Sequence, residues 1–141
     1  MSEASGPVRA KNANEQLALD FFAALSTGDL EKLRPFLDED SVWEPMVKDI
    51  PGAGAYRGRA IIDDFLAPVR GMFAPGDPKV HPQTIFSDGD YVAVESYSDG
   101  KLQDGRTYHN RYSWVFRMRD GKIGSLHEYM DSHYVATLFG L

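Results

Sequence analysis

Two glutamates in this chain, Glu128 and Glu44, sit where a carboxyl group could move a proton. Glu128 stands between Leu126 and Met130 in the run Ile123–Asp131, which reads as a strand with an apolar face. A carboxylate buried there without a partner is costly, so it must be protonated, hydrogen-bonded or functional. Burial raises its pKa toward neutrality, where general acid–base exchange is efficient. Tyr112 and Asn110 lie on the preceding strand, Thr107–Met118. They could hold Glu128 in a structural polar network, or donate hydrogen bonds to an oxyanion that develops during a reaction. Glu44 precedes Pro45 on the alternating stretch Ser41–Met46. It shares a face with Val42 while Trp43 takes the other, and alternation alone does not say which face is inward.

The last hairpin decides which of these side chains meet. A two-residue Asp-Gly turn would pair Ser113 with Glu128 and bring Arg117 among the inward residues. A three-residue turn, Arg119-Asp120-Gly121, pairs Met118 with Lys122 and Tyr112 with Glu128. It gathers Asn110, Tyr112, Trp114, Phe116, Leu126, Glu128 and Met130 on one face and leaves His109, Arg111, Ser113, Arg117 and His127 on the other. A slip of one residue would bury two arginines, so the three-residue turn is the expected register.

The elements around this hairpin follow from periodicity. Residues 1–11 are small and polar with Gly and Pro, and read as a disordered lead-in; residues 12–141 form the domain. Asn12 or Asn14 can cap a first helix carrying Leu17, Ala18, Phe21, Phe22 and Leu25. Asp29 caps a shorter second one. A third spans about Arg59 to Met72, with Pro68 in or near its last turn. Strands are expected over Thr84–Ser87, Tyr91–Ser98, Thr107–Met118 and Ile123–Asp131, punctuated by Asp-Gly pairs at 88–89, 99–100 and 120–121. Helices first and a meander of long strands last define an α+β fold, with the helices packed on one face of a sheet.

Composition narrows the function. The chain has 141 residues, 43% of them hydrophobic, which suits one domain. A formal net charge of −6 argues against nucleic acid or an anionic membrane as partner. There is no cysteine, and His81, His109, His127 and His133 offer no convincing metal-ligand spacing, so neither metal nor cofactor is expected. The start MSEASGPVRAKNANEQ lacks the apolar core of a signal peptide, and no run is long enough for a membrane span; the expected location is cytoplasmic.

The segments FFAALSTGDLEKLRPFLDEDSVWEP (21–45), YRG (56–58) and YHNRYSWVFRMRDGKIGSLHEYMD (108–131) resemble SnoaL-like, ketosteroid-isomerase-related proteins of the nuclear-transport-factor-2-like superfamily. The resemblance covers residues 13–140 and implies a cone-shaped, cystatin-like α+β barrel, in which a curved antiparallel (mixed) sheet and three N-terminal helices enclose an apolar pocket, and which pairs as a homodimer through the outer face of its sheet. It places Glu44-Pro45 where the steroid isomerases carry a catalytic-base Asp-Pro. Their oxyanion-hole tyrosine falls at Phe21, which has no hydroxyl, and their oxyanion-hole aspartic acid near Tyr112 to Trp114. An Arg-x-Asp pair of the limonene epoxide hydrolases falls at Ser96-Tyr97-Ser98. The remaining aspartate of those hydrolases falls at Glu128, as does a glutamate of the phenazine-biosynthesis A/B proteins. The expectation is a cofactor-independent acid–base enzyme acting on a small, mostly apolar molecule by isomerisation, cyclisation, dehydration or lyase-type cleavage. Glu128 or Glu44 would move the proton. Phe21, Val42, Trp114, Phe116, Leu126 and Met130 would line the pocket. The alternative is a non-catalytic module that binds a small hydrophobic ligand in the same place.

Overall fold

The computed structural model describes residues 8–141. Residues 1–7 of the expected lead-in lie outside the described residues, whereas Val8 packs against the core and the Lys11 ammonium donates to the Ile85 carbonyl. Helix α1 (Ala13–Ser26) starts where Asn12 Oδ1 accepts the Glu15 amide at 2.9 Å, and buries Ala18, Phe21, Phe22 and Leu25. A 3₁₀ helix over Leu30–Phe36 follows, capped by Asp29.

The third helical segment is less regular than its apolar spacing predicts. Residues Ile61–Leu66 form a π-helix that runs into a short α2 (Ala67–Arg70). Ala67 donates to the carbonyl of Ile62, five residues back. Pro68 supplies no N–H to this turn and its ring crowds the preceding one, so the wider π register relieves the clash.

Strands β1 (Val42–Pro45), β2 (Tyr56–Arg57), β3 (Lys79–Asp88), β4 (Tyr91–Lys101), β5 (Thr107–Arg119) and β6 (Lys122–Met130) form one six-stranded sheet in the order β2-β1-β6-β5-β4-β3. All neighbours are antiparallel except β1 and β6, which run parallel with Trp43 beside Leu126 and Pro45 beside Glu128. The sheet is therefore mixed, and its inner face packs on α1 and the π segment. A final helix, α3 (Ser132–Leu138), was not expected. Asp131 caps it by accepting the Tyr134 amide at 3.0 Å, and Val135 is its buried residue.

The expected turn between β5 and β6 is corrected. Arg119 pairs with Lys122, so the connection is the two-residue Asp120-Gly121. Both residues have positive φ, 53° and 74°, the primed turn whose twist matches that of the strands. The register then shifts between Arg117 and Met118, because Ile123 faces Met118 while Ser125 faces Arg117, leaving Gly124 as a bulge. One extra residue reverses the parity. Phe116 faces Leu126, Trp114 faces Glu128 and Tyr112 faces Met130. The expected inward set is recovered, but each pair is displaced by two residues along β6.

The Asp99-Gly100 pair, expected to be a turn, is strand. The hairpin closes further on, where Leu102 donates to the Arg106 carbonyl at 2.9 Å. Gly100 is needed for a close approach instead: a Cβ there would lie 2.9 Å from Asp77 Cβ and Cγ. Asp77 Oδ2 also accepts the Lys101 amide at 2.9 Å. Gly100→Ala must push Asp77 away and break that bond, so it is expected to lower stability by about 1–3 kcal/mol. Urea unfolding checks this, and an unchanged midpoint would contradict the close contact.

Candidate active site

The inner face of the sheet divides along its strands. Toward the Asp120-Gly121 turn, Val92, Val94, Phe116, Ile123 and Leu126 meet Phe21 and Phe22 in a sealed core. Phe21 is wholly buried, with ring centroids 5.6 Å from Trp43 and 5.9 Å from Phe116. Toward the other end the same face turns polar, with Ser96 beside Tyr112 and Ser98 beside Asn110 across β4 and β5, and Glu128 beside Trp114 on β6.

A cavity opens at that polar end in two small lobes. One, of about 70 Å³, is bounded by Leu25, Trp43, Phe65, Arg70, Phe73 and Trp114 among others. The second, of about 60 Å³, reaches Pro45, Met72, Met130 and the α3 side chains Val135 and Phe139. Tyr112 and Glu128 line both.

Glu128 is 7% exposed, and Oε1 accepts the Trp43 indole N–H at 2.8 Å. That is the carboxyl's one hydrogen bond to protein among the described residues. Loss of solvation therefore dominates and pushes its pKa up to about 7, against smaller opposing pulls from Trp43 and the Arg70 cation. The other buried glutamate shows the contrast. Glu15 is 1% exposed, but its carboxylate accepts from Ser87 Oγ at 2.5 Å and from the Lys11 amide at 3.0 Å, with the Lys11 ammonium 3.2 Å away. The Ser87 bond leads in holding its pKa below the usual value. Glu15 is a fully satisfied anchor between α1 and β3; the Glu128 carboxyl has one donor and a raised pKa.

Tyr112 stacks on Trp114 with centroids 5.1 Å apart, and its hydroxyl meets that of Tyr108 at 2.5 Å. Burial lifts the Tyr112 pKa well above its ordinary value and that of Tyr108 to about 12, so both are neutral donors at physiological pH. Asn110 serves this pair. Its Oδ1 accepts the Arg111 amide at 2.8 Å, which orients the amide so that Nδ2 donates to Tyr108 at 3.0 Å. Asn110 thus orders Tyr108 and does not line the cavity.

Several sequence-based placements change here. Trp43 is the inward residue of β1, so Glu44 and Val42 lie on its outer face; Glu44 sits beside His127 and lines neither lobe. Strand alternation permits one face only, and the bulky indole takes the interior. Of the expected pocket residues, Trp114 and Met130 line the cavity. Phe21, Phe116 and Leu126 belong to the sealed core, because they fall on the apolar half of the sheet. His109 and His127 face outward with the rest of their set, and His81 Nε2 meets Asp99 Oδ1 at 2.5 Å while stacking on Tyr97. Among the described residues no three His, Asp or Glu side chains gather as a metal site.

Two site residues, Tyr108 and Arg70, carried no expectation. Tyr108 continues the period of two through Asn110 and Tyr112, so alternation pointed to it. Trp43, which the sequence offers only as a residue near the pocket mouth, becomes the Glu128 donor because β1 runs beside β6. Arg70 gave no signal, being one basic residue near a helix end.

A cone of curved sheet and helices around a mostly apolar cavity is the architecture of nuclear-transport-factor-2-like domains. The SnoaL-like domain profile matches residues 18–125, and the chain belongs to that family. Among solved structures, TerC co-crystallised with polyporic acid shares 23% identity with a TM-score of 0.80, covering 92% of this chain and 100% of its own. An NTF2-like protein from Burkholderia xenovorans is 28% identical with a TM-score of 0.70, covering 89% and 94%. A protein of ketosteroid isomerase-like fold from Catenulispora acidiphila, in complex with trimethylamine, is 18% identical with a TM-score of 0.74, covering 89% and 93%. No curated protein matches the chain in sequence. Among the described residues no helix is long and apolar enough to cross a membrane.

Proposed function

We propose that the chain is a cofactor-independent acid–base enzyme acting on a small, mostly apolar organic molecule, with Glu128 as its proton carrier. The observation that carries this reading is the Glu128 carboxyl itself, set in an apolar cavity with a single donor and a pKa of about 7. A group of that pKa is divided between acid and base forms near neutral pH, so it can take a proton from one substrate atom and return it to another. The Tyr112 hydroxyl, lining the same cavity, supports a developing oxyanion as a neutral donor. Such a site suits isomerisation, cyclisation, dehydration or lyase-type cleavage, in which a proton leaves a carbon beside a carbonyl.

The direct test is a carbon-13 NMR titration of the Glu128 side-chain carboxyl in the free protein. A midpoint near 7 is expected; one close to 4.5 would leave the non-catalytic binding module as the better reading. The enzyme is expected to work as a homodimer paired through the outer face of the sheet, where Phe86 and Tyr91 are 59% and 51% exposed. Light scattering at about tens of micromolar would refute this by returning a monomer.

A further inference from the structure

Arg70 and Glu128 are the two charged side chains that line the cavity. The Arg70 guanidinium donates one N–H to the Asp77 carbonyl at 3.2 Å and another to the Pro78 carbonyl at 2.9 Å. A guanidinium carries five donors, so three remain without a protein acceptor among the described residues. No carboxylate of the described residues comes within ion-pair distance of it. Burial lowers its pKa only to about 10, so it stays a cation at neutral pH. A half-buried cation held in place by two backbone carbonyls, with spare N–H groups on a cavity wall, is an incomplete pair.

We propose that the cavity binds a small organic anion, a carboxylate or enolate on a mostly apolar body, and that Arg70 is its recognition residue. This rests on reading Glu128 as the proton carrier and adds the charge of the molecule it serves. The groups facing Glu128 are Trp43 from β1, Arg70 from α2, and Tyr112 and Tyr108 from β5. With both tyrosines neutral, Glu128 and Arg70 are the charges on the cavity wall, and the Asp77 carboxylate acts on Arg70 from beyond ion-pair distance. An anion seated on Arg70 removes the cation's pull on Glu128 and adds a negative charge beside it. Anion binding therefore takes up a proton when Glu128 is ionised beforehand, and weakens as pH rises through the Glu128 titration.

The probe pair is benzoate and benzamide, alike in shape and different in charge, added to the full chain. Binding is read by quenching of Trp43 and Trp114 and by calorimetry. At about pH 6 benzoate is expected to bind at least about tenfold more tightly than benzamide, as a charge-assisted pair requires. Arg70→Gln should remove that preference, with benzoate losing far more affinity than benzamide; Arg70→Lys should keep part of it. A wild-type measurement stands apart from any variant's folding: near pH 8, benzoate's binding heat should vary with buffer ionisation enthalpy in the sense of proton uptake. Equal affinity for the two probes, tighter benzamide, or no benzoate binding up to about 10 mM would overturn the proposal. The Glu128 titration in the free protein separates the two readings. An ordinary midpoint there defeats the acid–base assignment even if benzoate is preferred, and a midpoint near 7 without that preference defeats only the anion site.

Discussion

Glu128→Gln is expected to slow proton transfer by about 10²–10⁴-fold while leaving ligand affinity within about tenfold, because the carboxyl acts mainly in the transition state. Deuterium wash-in from D₂O into an enolisable carbonyl compound held by the protein, followed by NMR, reads this step directly. The same substitution should raise stability above neutral pH. An unfolded glutamate ionises near 4.5, while the folded carboxyl holds its proton to about 7. Between those values the native state binds more protons than the unfolded chain, so wild-type stability falls as pH rises. Above 7 both forms are ionised and the loss is constant, on the order of 3 kcal/mol. The Gln variant cannot ionise at this position, so its curve should lack this fall and end above that of the wild type. Faster exchange in the variant, or a parallel pH profile, would remove Glu128 from the centre of the site. Glu44→Gln is the control: on the outer face of β1, it should exchange at the wild-type rate.

Trp43→Phe should move the Glu128 midpoint upward from about 7. The indole N–H donates to the carboxylate and stabilises its charged form, and a hydrogen bond to a charged group is worth about 1.5–3 kcal/mol, or roughly one to two pH units. Trp43 is also 2% exposed, with its ring 5.3 Å from Phe65 and 6.0 Å from Trp114, so the smaller ring leaves a void. A stability loss of about 1–3 kcal/mol at acid pH is expected, where the carboxyl is protonated in both proteins. Carbon-13 titration gives the first quantity and chemical denaturation the second. A midpoint that falls or stays fixed would mean that Trp43 is packing only. A rise without loss of exchange at matched pH above the new midpoint would confirm that the indole tunes Glu128 without taking part in transfer.

Local pattern carried much of this protein. The spacing of Ala18, Phe21, Phe22 and Leu25 defines α1, and the alternation from Asn110 to Phe116 assigns the inner face of β5. Both depend on side-chain direction, which repeats with the backbone period and needs no partner to be known. Glu128 stood out for the same reason, as a carboxyl on an apolar face whose neighbours in sequence announce its burial. The hairpin register was read correctly in its faces and wrongly in its pairs, because a two-residue turn and a bulge at Gly124 together give the parity of a three-residue turn.

Tertiary structure decided the rest. Glu44 and Trp43 alternate equally well in either direction, and only the parallel pairing of β1 with β6 sets the indole inward against Glu128. Phe21 and Trp114 are both buried aromatics, yet one seals the core and the other lines a cavity. That distinction arises because the inner face changes from Val92 and Val94 to Ser96 and Ser98 along β4, and position along the sheet is known only once the strands are assembled. Arg70 belongs to the site because the π turn before Pro68 and the carbonyls of Asp77 and Pro78 aim it there, contacts between segments whose sequences contain no sign of one another. Even the opposite characters of Glu15 and Glu128 are set this way. The two residues are chemically identical and almost equally buried, and what separates an anchored carboxylate from a carboxyl with a raised pKa is the number of donors that other strands and helices bring within reach.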